Sequence, residues 1–130
     1  MTAALIVPVP AALAIEWAYG HYTDSELLHL VNPFQPGRDI GIFILSLFGR
    51  AAWRELRRQI RQYPNARCVV TRTKHPTVAA WLTHYGAEPT KEDLPGEWRY
   101  LAPRTALERF LNPSAALTAR RASFPARSVP

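Results

Sequence analysis

The chain is poor in the residues that build covalent or metal-based scaffolds. It carries one cysteine, Cys68, among 130 residues, so neither an intrachain disulfide framework nor a cysteine-based metal site is open to it. Cys68 lies in the apolar run Cys68-Val69-Val70, where a free cysteine reads as a small buried hydrophobe. Long apolar runs are missing as well. The longest near the centre, Ile42 to Leu45 and on through Ser46 to Phe48, falls far short of the ~20 residues of a membrane-spanning helix, and no membrane contact is expected. The apolar N-terminus has no basic leader, and Pro8 and Pro10 interrupt it, which breaks the helical core of a signal peptide. Residues 1–15 therefore read as mature sequence, an extended arm or an edge strand. His21, His29 and His84 stand at spacings that suit no metal site, and His84 and Lys74 are expected in solvent.

Acidic residues are the scarcer charge. Ten Asp and Glu face sixteen Lys and Arg, a net charge of +6, which favours polyanions such as nucleic acid, a phosphorylated cofactor or an acidic protein surface. With 48% hydrophobic residues the length suits one compact domain with tails. The reading is an N-terminal arm over 1–13, a folded domain over 14–103 and a Pro/Arg-rich tail over 104–130.

Within that frame, Ala14 to Tyr19 has strand character ended by Gly20, and Thr23 or Asp24 caps a short helix reaching Leu30 or Val31 that buries Leu27, Leu28 and Val31. Asn32-Pro33-Phe34-Gln35-Pro36-Gly37 is turn chemistry. Ile40 to Phe48 is continuously apolar, the pattern of a strand buried on both faces and a candidate for the centre of a sheet. Next, Trp53, Leu56, Ile60 and Tyr63 form the stripe of an amphipathic helix, with Arg50, Arg54, Arg57, Arg58 and Arg61 on a second stripe. Pro64 ends that helix, and Ala66 to Thr73 makes a strand, so a β-α-β unit with parallel neighbours is predicted. Pro76 suits the first turn of another helix, with Val78, Trp81, Leu82 and Tyr85 on one face and Gly86 as its C-terminal cap. A hairpin over Ala87–Thr90 and Glu97–Ala102 follows, with Lys91 to Gly96 as a polar turn. Thr105 to Leu111 has room for one or two helical turns, and the remainder, with little to bury, is expected to order only against a partner.

The order strand, glycine turn, amphipathic helix, strand, short helix, Gly86 and two-stranded ending resembles the second half of the GNAT acyltransferase fold, over Ile40 to about Pro103. The implied class is α/β (α+β), an abbreviated GNAT-like mixed sheet with flanking helices and extended arms. Ser46-Leu47-Phe48-Gly49-Arg50-Ala51 matches at Gly49 and Ala51 the family turn whose backbone amides bind the pyrophosphate of acetyl-CoA, and departs from it at Ser46. By the same resemblance, Leu45 and Leu47 would offer backbone groups to the pantetheine arm. The helix-end stretch Trp81-Leu82-Thr83-His84-Tyr85-Gly86-Ala87 has Leu82 where the family often carries a proton-donating tyrosine. Together with the Arg in the glycine turn, it is similar to the small GNAT-like internal virion proteins of short-tailed phages.

The strand Ile40–Phe48 supplies no carboxylate or histidine as a general base; Glu16 is a faint candidate, and an exposed or edge position suits it better. No catalytic residue is assigned. The leading expectation is a structural or interaction component, virion-associated or in the bacterial host cytoplasm. Its acetyltransferase activity would be weak or lost, and its arms would dock on other virion proteins. Two alternatives stay open: an active acetyl-CoA-dependent N-acetyltransferase, and a module binding nucleic acid or DNA without sequence preference through Arg54, Arg57, Arg58 and Arg61.

Overall fold

Alanine and proline set the first boundary. The apolar residues of Ala3–Pro10 (β1) pair antiparallel with Ile40–Phe48 (β2), and Pro10 then occupies the position before a helix, Ala11–Ala18 (α1). The computed structural model describes residues 3–30 and 39–112. Their further elements are Asp24–Leu30 (α2), Ala52–Ile60 (α3), Ala66–Thr73 (β3), Pro76–Tyr85 (α4), Glu88–Leu94 (β4), Glu97–Pro103 (β5) and Arg104–Leu111 (α5). One mixed sheet in the order β1-β2-β3-β5-β4 carries them. Only β2 and β3 are parallel, the crossover being α3. The α+β class with helices flanking a mixed sheet is the one expected, as are the β-α-β unit and the Gly86 cap, where φ is +99°.

Two layers cover the sheet. On one face Ile40, Ile42, Ile44 and Val69 meet Leu56 and Ile60 of α3 and Leu107 and Phe110 of α5. On the other, Phe43, Cys68 and Val70 meet Ala14, Trp17 and Ala18 of α1 and Leu27 of α2. Gly41 makes the second layer possible. A Cβ there would come within 2.8 Å of the Ala14 Cβ and 2.9 Å of the Cys68 Sγ, so α1 lies on the sheet only because that position is bare.

Several expectations are corrected. Ala14 to Tyr19 is helical in α1 rather than a strand: Ala11, Ala14, Trp17 and Ala18 are the buried positions, a 3.6-residue period that a short apolar run conceals, and alanine favours it. Of the two readings of the N-terminus, the edge strand holds over residues 3–10, and the arm does not. The central strand is β3; β2 is second in the order, and its burial is complete only from Ile40 to Ile44. The hairpin is longer than expected, with the turn reduced to Pro95-Gly96. In the expected tail, α5 buries Ala106, Leu107 and Phe110 and belongs to the core. Leu28 is half-buried where Leu27 is fully buried. The Asn32–Gly37 turn, Val31 and residues 113–130 lie outside the described residues.

Local chemistry fixes the joints. Thr23 Oγ1 accepts from the Glu26 amide at 3.1 Å while Glu26 Oε1 accepts from the Thr23 amide at 2.9 Å, a capping box at the start of α2 that lowers the Glu26 carboxyl below its ordinary range. Two positions on the outer edge of β1 have no amide donor. Ala11 donates to the Asp39 carbonyl at 3.0 Å, so by strand alternation Val9 and Val7 face β2 while Pro10, Pro8, Ile6 and Ala4 face outward. Both prolines thus stand where no amide proton is needed, and the Ala4 carbonyl accepts from Gln59 Nε2 at 2.9 Å.

Candidate functional site

The parallel pair β2–β3 is short. Its register runs from Ile40 opposite Ala66 to Phe43 opposite Val70 and then stops. β2 continues to Phe48 along β1, and β3 continues to Thr73 along β5. The two strands therefore part as a fork. At its crotch Thr71 Oγ1, buried, donates to the Ile44 carbonyl at 3.1 Å. Leu45 is the extra residue of a bulge: Ile6 faces Ile44 while the next residue back, Leu5, faces Ser46. A bulge twists and re-aims the strand that carries it, here at the point where β3 leaves.

Beyond the fork, β2 turns into α3 through Gly49, Arg50 and Ala51. Gly49 has φ of +94°, a conformation that glycine adopts without steric cost, and its carbonyl accepts from the Ala52 amide at 3.2 Å. Ala51 holds the N-cap position and offers no side-chain cap, so the first amides of α3 have no side-chain acceptor there. Leu45 and Phe48 are exposed and Leu47 packs on the α3 layer. Leu45, Leu47, Gly49, Arg50 and Ala51 are thus brought together as one strand-turn-helix corner beside a gap in the sheet.

The groove between α3 and α4 is filled by aromatic rings. Trp53 and Trp81 are stacked, centroids 5.2 Å apart and planes 13° from parallel. Tyr85 stands 5.6 Å from Trp81, and Phe110 meets Trp53 and Tyr85 edge-on. Beneath them Ile44, Val69, Leu82 and Ala102 line a cavity of about 40 Å³ with no polar wall. Leu82 is buried in this layer. Tyr85 is half-buried in the same aromatic cluster, as its helical spacing predicted.

The arginine stripe of α3 divides. Arg57 Nε donates to the Phe110 carbonyl at 2.8 Å and Arg61 to the Leu111 carbonyl at 2.7 Å, so both cap the C-terminus of α5; Arg57 also lies 4.7 Å above the Phe110 ring. Arg58 is paired with Glu55, and this bond together with Gln59 brings the Glu55 carboxyl down to about 2. Arg50 and Arg54 are exposed and make no ion pair among the described residues. The five arginines are not one free stripe.

A second polar cluster escaped the sequence reading. Arg99 in β5 is 5% exposed; its Nε donates to Asp93 at 2.8 Å, and one terminal nitrogen donates to the carbonyls of Trp17 and Tyr22, each at 2.7 Å. Its guanidinium lies 4.6 Å from the Trp17 ring, a cation–π contact. Arg72 is ion-paired with Asp24, Asp93 and Glu97, and Trp17 Nε1 donates to Asp24 at 2.9 Å. Two irregularities in β4, at Thr90 and Asp93, serve this cluster. Thr90 Oγ1 donates to the Ala18 carbonyl. Desolvation works to raise the Asp93 carboxyl, but Arg99 and Arg72 outweigh it and hold it below its ordinary value. Every partner is a neighbour in the fold, so the cluster fastens α1 and α2 to β3, β4 and β5. No pattern of spacing in the sequence announces it.

Among the titratable groups of Ile44–Phe48 and Thr71–Thr73 only Arg72 occurs, and its charge is engaged by the three carboxylates. Glu16 lies in α1 and accepts from the Tyr22 hydroxyl at 2.9 Å, a bond that raises the tyrosine's pKa. Cys68 is buried, and desolvation pushes its thiol up to about 11. His84 and Lys74 are exposed as expected, and His21 and His29 are exposed too. Among the described residues no group of His, Cys, Asp and Glu is placed to hold a metal, and no helix is long and apolar enough to cross a membrane. Compared with family models, with curated proteins and with solved structures, the chain gives no match in any of the three.

Proposed function

We propose that the chain is a GNAT-like domain that acts as a structural or interaction component with acyl transfer weak or lost. The observation that carries this reading is the Trp53–Trp81 stack. By the resemblance stated above, acetyl-CoA would lie along the fork with its pyrophosphate at Gly49, Arg50 and Ala51, and hence beside the space between α3 and α4 that the two rings fill. The fork and the left-handed Gly49 support descent from such a site; the apolar Leu82 and a fork without a base support loss of its chemistry, since a base must reach the substrate proton directly or through one water. The likeness of Trp81–Ala87 to internal virion proteins of short-tailed phages supports a place in a virion or in the bacterial host cytoplasm, with other virion proteins as partners.

Calorimetric titration of the full chain with acetyl-CoA tests the proposal. The expected result is no saturable heat, and Trp53→Ala, which clears the groove, is expected to gain affinity. Wild-type binding tighter than ~100 µM, about 5.5 kcal/mol, would overturn the reading in favour of an acetyl-CoA-dependent N-acetyltransferase. That alternative is favoured by one observation, the absence of a side-chain cap at the start of α3 behind Gly49, because amides at a helix start attract phosphate.

A further inference from the structure

Helix α1 carries apolar residues on both of its faces. Ala11, Ala14, Trp17 and Ala18 are buried against the sheet, and Ala12, Ile15 and Tyr19 stand on the opposite side at the spacing of one helical stripe. Ile15 is 40% exposed and Tyr19 53%, and Ala12 is exposed beside them. A lone exposed apolar side chain is ordinary. A helix that is apolar all round, however, suits a buried position, and α1 has Glu16 as its single charge. Glu16 lies at the margin of the stripe, where it accepts from the Tyr22 hydroxyl.

The stripe fits its own copy. Small Ala12 and large Tyr19 stand at its two ends, about 10 Å apart along the axis at 1.5 Å per residue, with Ile15 between them. A two-fold axis that ran the helices parallel would set Tyr19 on Tyr19 and leave a void between the alanines. One that runs them antiparallel seats each Tyr19 on Ala12 of the other copy, and the two Ile15 side chains meet near the axis. Charge agrees with that choice. Lys91 is exposed and lies across Gly20, at the C-terminal end of α1. Asp39 stands at the N-terminal end, where its carbonyl accepts from the Ala11 amide and its carboxylate, 69% exposed, shares a surface pair with Arg67. Antiparallel packing brings the Lys91 end of each copy to the Asp39 end of the other and opposes the two helix dipoles.

We propose that α1 is the contact of a reversible homodimer in which the Ala12–Ile15–Tyr19 stripes of two copies pack antiparallel about a two-fold axis. Three side chains cover much less than the about 800 Å² per partner of a stable complex, so the dimer is weak and forms where copies are concentrated. It does not depend on whether acetyl-CoA binds at the fork.

Sedimentation equilibrium of the full chain from about 5 to 500 µM tests it, a range that brackets a weak interface. The expected result is a mass that rises from one chain toward two. Ile15→Lys is expected to weaken association at least about tenfold, because it brings a charge to the centre of the contact. Leu94→Lys changes a more exposed apolar residue on the edge strand β4 and is expected to stay within about twofold of wild type. Cysteine cross-linking reads the direction of packing. A mixture of Ala12→Cys and Tyr19→Cys is expected to form the interchain disulfide faster than either variant alone, Cys68 being buried. If Ile15→Lys does not fold, this comparison decides. The proposal is overturned by a one-chain mass at every concentration, by a folded Ile15→Lys that associates like wild type, by Leu94→Lys losing as much, or by either cysteine variant cross-linking faster with itself than with the other.

Discussion

Thr71 and Ile44 are joined by a buried side-chain-to-backbone hydrogen bond of 3.1 Å at the point where β2 and β3 separate. Below it the strands are joined by the ladder; above it, each follows its other neighbour. The hydroxyl takes the place of the next rung and satisfies a carbonyl that the fork would otherwise strand.

Thr71→Val keeps the shape of the side chain and removes the donor. Leaving the Ile44 carbonyl buried and unpaired is expected to cost about 1–3 kcal/mol, measured as a lower urea midpoint with an unchanged m-value. A cost near zero would mean that the fork closes by another route.

The Arg99 clamp predicts a larger loss and a pH dependence. Arg99→Ala leaves Asp93 with Arg72 alone and takes the charged donor from the carbonyls of Trp17 and Tyr22, a loss expected to cost about 3 kcal/mol. Because the Asp93 carboxyl is held below its ordinary value of 3.8, its stabilisation is complete above that value and is lost as the pH falls through the depressed one. The stability gap between wild type and Asp93→Asn is therefore expected to be constant above about pH 5 and to shrink below about pH 3.8. A gap independent of pH down to acid unfolding would refute the pairing.

Gly41→Ala pushes a methyl into Ala14 and the Cys68 sulfur, both under 3.0 Å away. Overpacking of this kind is expected to cost about 1–3 kcal/mol. Since Ala14 is the nearer obstacle, Ala14→Gly in the same chain should recover part of the loss, and a double-mutant cycle with no coupling would show that α1 moves instead.

Two arginines of one helix separate capping from surface charge. Arg57→Ala removes the donor to the Phe110 carbonyl and the guanidinium over its ring, and is expected to lower stability by about 1–3 kcal/mol. Arg54→Ala is expected within about 0.5 kcal/mol of wild type. Thermal melts of the two variants check both values.

Cys68 should be unreactive in the native chain and reactive once unfolded. Its burial and raised pKa leave little thiolate at neutral pH. Disulfide-exchange reagent added to the folded protein is expected to label it only at the rate of opening; prompt stoichiometric labelling would contradict its place between Gly41 and α1.

Where local chemistry alone decides an element, the sequence was legible. Pro76 and Gly86 bound α4, Thr23 caps α2, and the stripe of Trp53, Leu56 and Ile60 makes α3, because each depends on neighbours within one or two turns. Ala14–Tyr19 was misread because a short apolar run of alanines and one tryptophan does not distinguish the two periods, and the deciding partner, Gly41, is far away in the chain. The same distance hid the arginine roles: nothing in Arg57 tells that Phe110 will place a carbonyl beside it. At the candidate site, the glycine corner was visible as a run of residues, whereas the fork, the bulge at Leu45 and the stacking of Trp53 on Trp81 arise only when separate elements meet.

Pro8, Pro10 and the Gln59 bond to Ala4 give the sheet a margin that a foreign strand finds few groups to grip. The opposite margin, β4, carries Pro89, Lys91 and Glu92. Margins of this kind disfavour edge-to-edge pairing between copies of the chain.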